Sequence, residues 1–256
     1  MDFGGTRRTG FALLLLGVAA AWAQGAKAAT NVITNGTFAV TGGTTSFQFG
    51  TYGPYTPTET LAGWASTGYN YVFLPTSTTA TGYYGSLSLW SSTSTGSPNT
   101  FNNASPTGGD FIAADSDYGT EAITQTVSNL VKGDHYQLSF AWAGAQQSGY
   151  TGATTDSWAV TLGRQTFNTS TISLPSEGFS GWMNVTFNFT ASSTSEVLSF
   201  LAAGSPAIPP FALLANVRMF DIPEPGTWLI LVAPVLGLAG IAGRRRRVAA
   251  AAEQTA

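Results

Sequence analysis

Cysteine is absent from this 256-residue chain, and histidine occurs once, as His135. The first absence removes thiol nucleophiles, disulfide staples and thiolate metal ligands. The second excludes any site that needs two imidazoles from one chain. Charge is scarce as well, since only 9% of residues are Asp, Glu, Lys or Arg. Within residues 30–222 the basic side chains are Lys132, Arg164 and Arg218 against ten acidic ones, a net charge of −7. Such a surface repels a phosphate backbone, so nucleic acid is not an expected partner. The same stretch lacks any convincing amphipathic helical pattern. Chemistry is left to carboxylates, hydroxyls and aromatic rings.

Both ends read as addresses. Arg7 and Arg8 precede FALLLLGVAAAWA, a short apolar run with small-residue sites after Ala23 and Ala28. This is the layout of a secretory signal peptide over residues 1–29. Residues 226–243 form an uncharged run that, as a helix, spans roughly 27 Å at about 1.5 Å per residue. Arg244, Arg245, Arg246 and Arg247 follow at once and are held on the cytoplasmic side by the cost of moving them through hydrocarbon. The expected element is a C-terminal transmembrane helix.

The tripeptide Pro223, Glu224, Pro225, the apolar span and the cluster Arg244, Arg245, Arg246 and Arg247 resemble, in that order, the PEP-CTERM sorting signal of Gram-negative bacteria. The resemblance covers residues 223–247 within a terminal region of residues 223–256. It implies recognition of the tripeptide by an exosortase, a membrane-embedded cysteine protease. The implied sequence of events is export through the inner membrane, transient anchoring by the C-terminal helix, then delivery to the cell envelope or extracellular matrix. A plain membrane anchor is the alternative.

Between the addresses, residues 30–222 suffice for one sizeable domain. Period-two alternation dominates. HYQLSFAWAG puts Tyr136, Leu138, Phe140 and Trp142 on one face, WMNVTFNFTA does so with Met183, Val185, Phe187 and Phe189, and DSWAVTLG with Trp158, Val160 and Leu162. EVLSFLAAG is apolar on both faces and reads as a central strand. Residues 41–57 and 81–109, rich in Gly, Ser and Thr, read as long loops or irregular hairpins. Many short strands between polar turns predict an all-β, antiparallel β-sandwich of jelly-roll type.

NVITNGTFAV, Gly63-Trp64, GGDFIAADS, AITQTVSNLVKGDHYQLSFAWAG and LLANVRMFDI are similar to the galactose-binding-domain-like jelly rolls that often precede PEP-CTERM signals. The resemblance implies a two-sheet sandwich and, in many members, carbohydrate binding. Two acidic positions that commonly hold a structural calcium ion in related modules are here Ala39 and Ala215. Calcium needs several charged oxygen ligands, and neither alanine supplies one.

The polar side chains that remain could serve a metal site, a hydrolytic site or a binding site. Asp115, Asp117 and Glu121, spaced around Gly119, resemble half of a calcium loop; an ordinary acidic loop has the same composition. A glycosidase needs two carboxylates across a sugar-sized cleft. Asp110 with Glu121, or Asp156 with Glu177, meets that only through the fold. A Ser-His-Asp triad has to use His135, and no nucleophile-elbow pattern surrounds any serine; His135 reads instead as an edge-strand histidine facing solvent. Carbohydrate or exopolysaccharide binding without catalysis is the favoured reading, because a lectin site pairs flat rings with Asp, Asn or Gln. Tyr83, Tyr84, Trp90, Asn102, Asn103, Asp117 and Tyr118 have that composition in loop context. Such rings also serve as packing beneath loops. Trp64, Trp142, Trp158 and Trp182, in apolar context, are assigned to the core. A structural or adhesive matrix protein without a sugar site is the alternative function.

Overall fold

The computed structural model describes residues 30–57, 59–96 and 99–222. The expected signal peptide, transmembrane helix and sorting tripeptide lie outside these. Among the described residues there are thirteen strands and no helix. They are β1 (Ser46–Gln48), β2 (Asn70–Phe73), β3 (Thr79–Gly82), β4 (Gly85–Ser88), β5 (Phe111–Asp115), β6 (Ile123–Ser128) and β7 (His135–Gln146), then β8 (Thr154–Leu162), β9 (Gln165–Asn168), β10 (Ile172–Leu174), β11 (Met183–Thr190), β12 (Ser195–Ser205) and β13 (Pro210–Asp221).

Eight strands form one sheet in the order β11-β7-β13-β5-β2-β1-β3-β4, and the second sheet runs β10-β8-β12-β6 with β9 also pairing β8. Every pairing between strands is antiparallel except β1 with β3. The described residues are thus all-β, as the alternation predicts.

Period two explains the layering. On β7, Tyr136, Leu138, Phe140 and Trp142 enter the core between the sheets and meet Trp158, Val160 and Leu162 of β8 and Leu198 and Phe200 of β12. Phe200 is the hub, with its ring edge-on to Phe140 (5.2 Å) and to Trp158 (6.0 Å). Each such ring contributes roughly 1.5–3 kcal/mol by leaving water. The opposite positions of the same strand are Ala141, Ala143 and Ala145, which lie under a second apolar layer on the outer face of the large sheet. There Phe73 stacks on Phe111 at 5.4 Å, and Phe101, Phe179 and Trp182, from loop segments, cover them. Trp64, Trp142 and Trp158 belong to the central core, whereas Trp182 is half-buried in this outer layer.

Two expectations need correction. β12 is central in its sheet, but only one face is buried: Val197 and Leu201 are 50% and 40% exposed, because nothing among the described residues covers that side. His135, expected at a sheet edge, begins an interior strand flanked by β11 and β13. It is nonetheless exposed, and its Nδ1 lies 3.0 Å from the Thr190 hydroxyl.

The entry to the domain is held by backbone complementarity. Gly36 lies against β13, where the Val217 N–H donates to its carbonyl at 2.8 Å. A Cβ on Gly36 would fall 1.8 Å from the Val217 oxygen, so only glycine fits there. The neighbouring Phe38 is thereby delivered into the core against Trp64 at 5.1 Å.

Candidate functional site

At the end of the large sheet where β5 and β7 finish and β13 begins, the outer face opens into a cleft of about 330 Å³. Asp115, Asp117 and Tyr118 lie at one side, Tyr69 and Tyr84 beside them, and Gln147, Tyr150, Ala207 and Pro209 opposite.

The first wall follows from the turn after β5. Asp115 Oδ1 accepts the N–H groups of Asp117 (3.0 Å) and Tyr118 (2.9 Å), an aspartate turn that closes on itself. Gly119 then takes φ +58°, and a Cβ there would press to 2.8 Å from the Tyr52 ring. This bend turns Tyr118 outward, 44% exposed. The second wall is the β3–β4 hairpin. Its two tip residues, Tyr83 and Tyr84, stand between Gly82 and Gly85. Gly85 follows them with a positive φ of +90°, the position at which a glycine closes a tight hairpin through a bulge. Gln48 steadies the tip by accepting the Tyr83 N–H at 3.0 Å.

The tyrosines form one network. Tyr52 meets Tyr69, Tyr83 and Tyr118 at 5.7, 6.5 and 5.5 Å, mostly edge to face. Tyr69 meets Tyr84 at 5.8 Å, and the Tyr84 and Tyr118 hydroxyls share a hydrogen bond of 2.8 Å. Edge-to-face contacts of this kind add about 0.5–1.5 kcal/mol each beyond burial. The rim is therefore stiff although Tyr84 is 60% exposed. Across the cleft, Tyr150 is 45% exposed. The indole N–H of Trp90 donates to its carbonyl at 2.7 Å.

Two buried acids lie behind this surface. Burial pushes the Asp115 carboxyl up to about 6, against the opposing pull of its two N–H bonds. Asp156, on β8, is fully buried between the sheets. Desolvation pushes it up to about 8, outweighing the hydrogen bond from the Ser116 hydroxyl at 2.6 Å, and the negative charge of Asp115 adds to the rise.

Of the residues expected to bind carbohydrate, Tyr84, Asp117 and Tyr118 line the cleft, Tyr83 packs against Tyr84 at 4.6 Å, and Trp90 braces the far wall. Asn102 is exposed but does not line it. Asn103 is corrected to a scaffold role: it is buried, and its amide reaches the carbonyls of Leu74 and Ser77 at 3.5 and 3.4 Å. Tyr69, Gln147 and Tyr150 went unrecognised. Tyr150 had a signal, an aromatic ring in the polar segment after β7, whereas Tyr69 and Gln147 had none.

Asp115, Asp117 and Glu121 do not come together as an ion-binding set. Among the described residues no three His, Asp or Glu side chains do so; Asp115 is buried at the base of the cleft, whereas Asp117 and Glu121 are exposed. The considered acid pairs are likewise engaged elsewhere. Asp110 accepts the Val40 N–H at 3.0 Å, and Asp156 is sealed in the core.

Comparison with known families matches residues 221–247 to the PEP-CTERM protein-sorting motif. The motif marks an exported protein that is processed at a C-terminal signal. A comparison with curated proteins finds no match. Among solved structures the chain is similar to TmCBM61 in complex with β-1,4-galactotriose, at 12% identity and a TM-score of 0.29 over 45% of this chain and 72% of that one. It is similar to the C-terminal CBM6 of LamC from Zobellia galactanivorans, at 12% identity and a TM-score of 0.29 over 46% and 84%. It is also similar to the Stig cyclase Fisc from Fischerella sp. TAU, at 16% identity and a TM-score of 0.41 over 77% and 99%. At TM-scores this low none of the three says what this chain binds.

Proposed function

We propose that this is an exported, non-catalytic carbohydrate-binding protein, released by an exosortase-type protease at Pro223, Glu224 and Pro225 and delivered to the cell envelope or extracellular matrix. The observation that carries the binding reading is the cleft itself. Its volume of about 330 Å³ falls in the range of small-ligand sites. Sugars offer apolar C–H faces and hydroxyl edges. Tyr84, Tyr118 and Tyr150 supply partly exposed rings for the former, and Asp117 and Gln147 supply hydrogen-bonding groups for the latter. The rim is held by ring contacts and a hydroxyl pair, so little ordering entropy is lost on binding.

Catalysis is not part of the reading. The two carboxylates of the cleft sit on one tight turn, and Asp115 uses an oxygen to hold that turn closed. They do not face each other across a bound glycosidic bond as hydrolysis needs.

The test is affinity electrophoresis of the purified protein through gels containing a panel of polysaccharides. Retardation by at least one glycan, lost in Tyr118→Ala and in Tyr84→Ala, is expected. Both rings stand on the rim and belong to neither apolar core layer, so their removal is expected to leave the circular dichroism spectrum unchanged. Equal mobility of the variants and the parent in every gel rejects the cleft as a sugar site.

A further inference from the structure

The cleft is built largely from groups that attract positive charge, and no cationic side chain lines it to pair with a negative one. Asp115 and Asp117 line it together with Tyr69, Tyr84, Tyr118 and Tyr150, and no basic side chain does. Aromatic faces carry negative partial charge, so rings and carboxylates here favour the same sign of ligand.

The basic residues of the described domain lie at the other end of its strands. Arg218 pairs with Ser139 on β7, whereas Pro210, beside the cleft, pairs with Gln146. At about 3.3 Å per residue that separation is roughly 25 Å. Lys132 precedes β7 at the end remote from Gln147, and Arg164 follows β8 at the end remote from Thr155, which pairs with Ser205 near the cleft. All lie beyond the screening length of about 8–10 Å at ordinary salt.

Asp115 is a second, independent pointer. It is only 2% exposed, yet it lines the cleft, and both of its hydrogen bonds go to Oδ1. Oδ2 is left without a donor among the described residues. A buried carboxylate with one bare oxygen and no cation in reach is costly to keep ionised. An ammonium group entering the cleft supplies both the missing donor and the missing charge.

We infer that the cleft selects a glycan bearing a protonated amino group, such as a glucosamine polymer, over neutral, N-acetylated or acidic glycans. This rests on the carbohydrate reading above and names its ligand class. The amine sits between Asp115 and Asp117 while a sugar face lies on Tyr118 or Tyr84.

The experiment is calorimetric titration of the purified full chain, at near-neutral pH, above the value of about 6 to which burial raises Asp115, with a glucosamine oligomer, its fully N-acetylated counterpart, a cellulose oligomer, an alginate oligomer and oligolysine. The glucosamine oligomer is expected to bind about tenfold or more tightly than its N-acetylated form, the effect of a charge-assisted hydrogen bond. Asp117→Asn, at an exposed position, is expected to remove most of that preference. Equal binding of the N-acetylated, cellulose or alginate oligomer overturns the inference while leaving the sugar reading in place. So does an undiminished preference in Asp117→Asn. Oligolysine binding as tightly as the glucosamine oligomer overturns it in favour of a sink for charge alone. Heat from none of the sugars overturns both readings.

Discussion

Asp156→Asn tests the electrostatics of the domain most directly. Asp156 is fully buried, with Oδ1 taking the Ser116 hydroxyl and Oδ2 without a partner among the described residues. A Cβ on Gly144 would meet Oδ2 at 2.9 Å, with the Ile172 and Leu174 methyls at 2.8 Å, so that oxygen sits in apolar surroundings. Burial raises its pKa from the ordinary 3.8 to about 8. The folded state thus holds the proton more tightly than the unfolded chain. Its contribution to stability is complete below about pH 3.8 and is lost as pH rises towards about 8. At about 1.4 kcal/mol per unit, the loss is of the order of 5 kcal/mol, comparable with the whole stability of many domains. Asp115 and Asp110, also raised by burial, tilt the profile the same way and do not mask it. Asparagine has the shape of the protonated acid and cannot ionise. The parent is therefore expected to lose stability steadily from pH 5 to pH 8, while Asp156→Asn follows a much flatter course and is the more stable protein at the alkaline end. Urea unfolding followed by circular dichroism reads the difference, which at a slope of about 2–3 kcal/mol per molar amounts to roughly 2 M in midpoint. Parallel pH profiles for the two proteins would refute the reasoning.

Other consequences are simpler to measure. Gly36→Ala forces a Cβ to 1.8 Å from the Val217 carbonyl oxygen, and a destabilisation of about 3 kcal/mol or more is expected in the same urea assay. Trp158→Ala empties the site beneath Phe200 and is expected to cost about 3–5 kcal/mol; a loss under 1 kcal/mol would show that the sandwich core is not where stability resides. Glu224→Ala, within the matched sorting motif, is expected to leave unprocessed precursor in membrane fractions, visible by immunoblotting as a larger species. Unchanged processing would favour a plain anchor.

The inward faces of β7, β8 and β11 were readable residue by residue, because alternation follows from the covalent geometry of an extended chain. β12 was misread on one face. Val197 and Leu201 have apolar side chains whether covered or not, and composition does not reveal whether another layer lies above them. The outward alanines of β7 carried a hint of that second layer, since small side chains leave room for Phe101 and Phe179. Within the cleft, Tyr84, Asp117 and Tyr118 were legible as rings and acids in loop context. Asn103 looked equally suitable, and only its burial against the Leu74 and Ser77 carbonyls separates it from them.

By itself, then, the order of residues determined which side chains share a strand face, that basic groups are nearly absent between residues 30 and 222, and that the chain carries a sorting signal, because each is a property of neighbours along the backbone. Only the tertiary structure decided that Tyr69, Tyr84, Tyr118 and Tyr150 face one another, that Asp115 forms part of their cleft, and that Asp156 is shut away from water. Those facts depend on which distant strands pair and in what register, and that outcome is set by packing of the whole sandwich rather than by local preference.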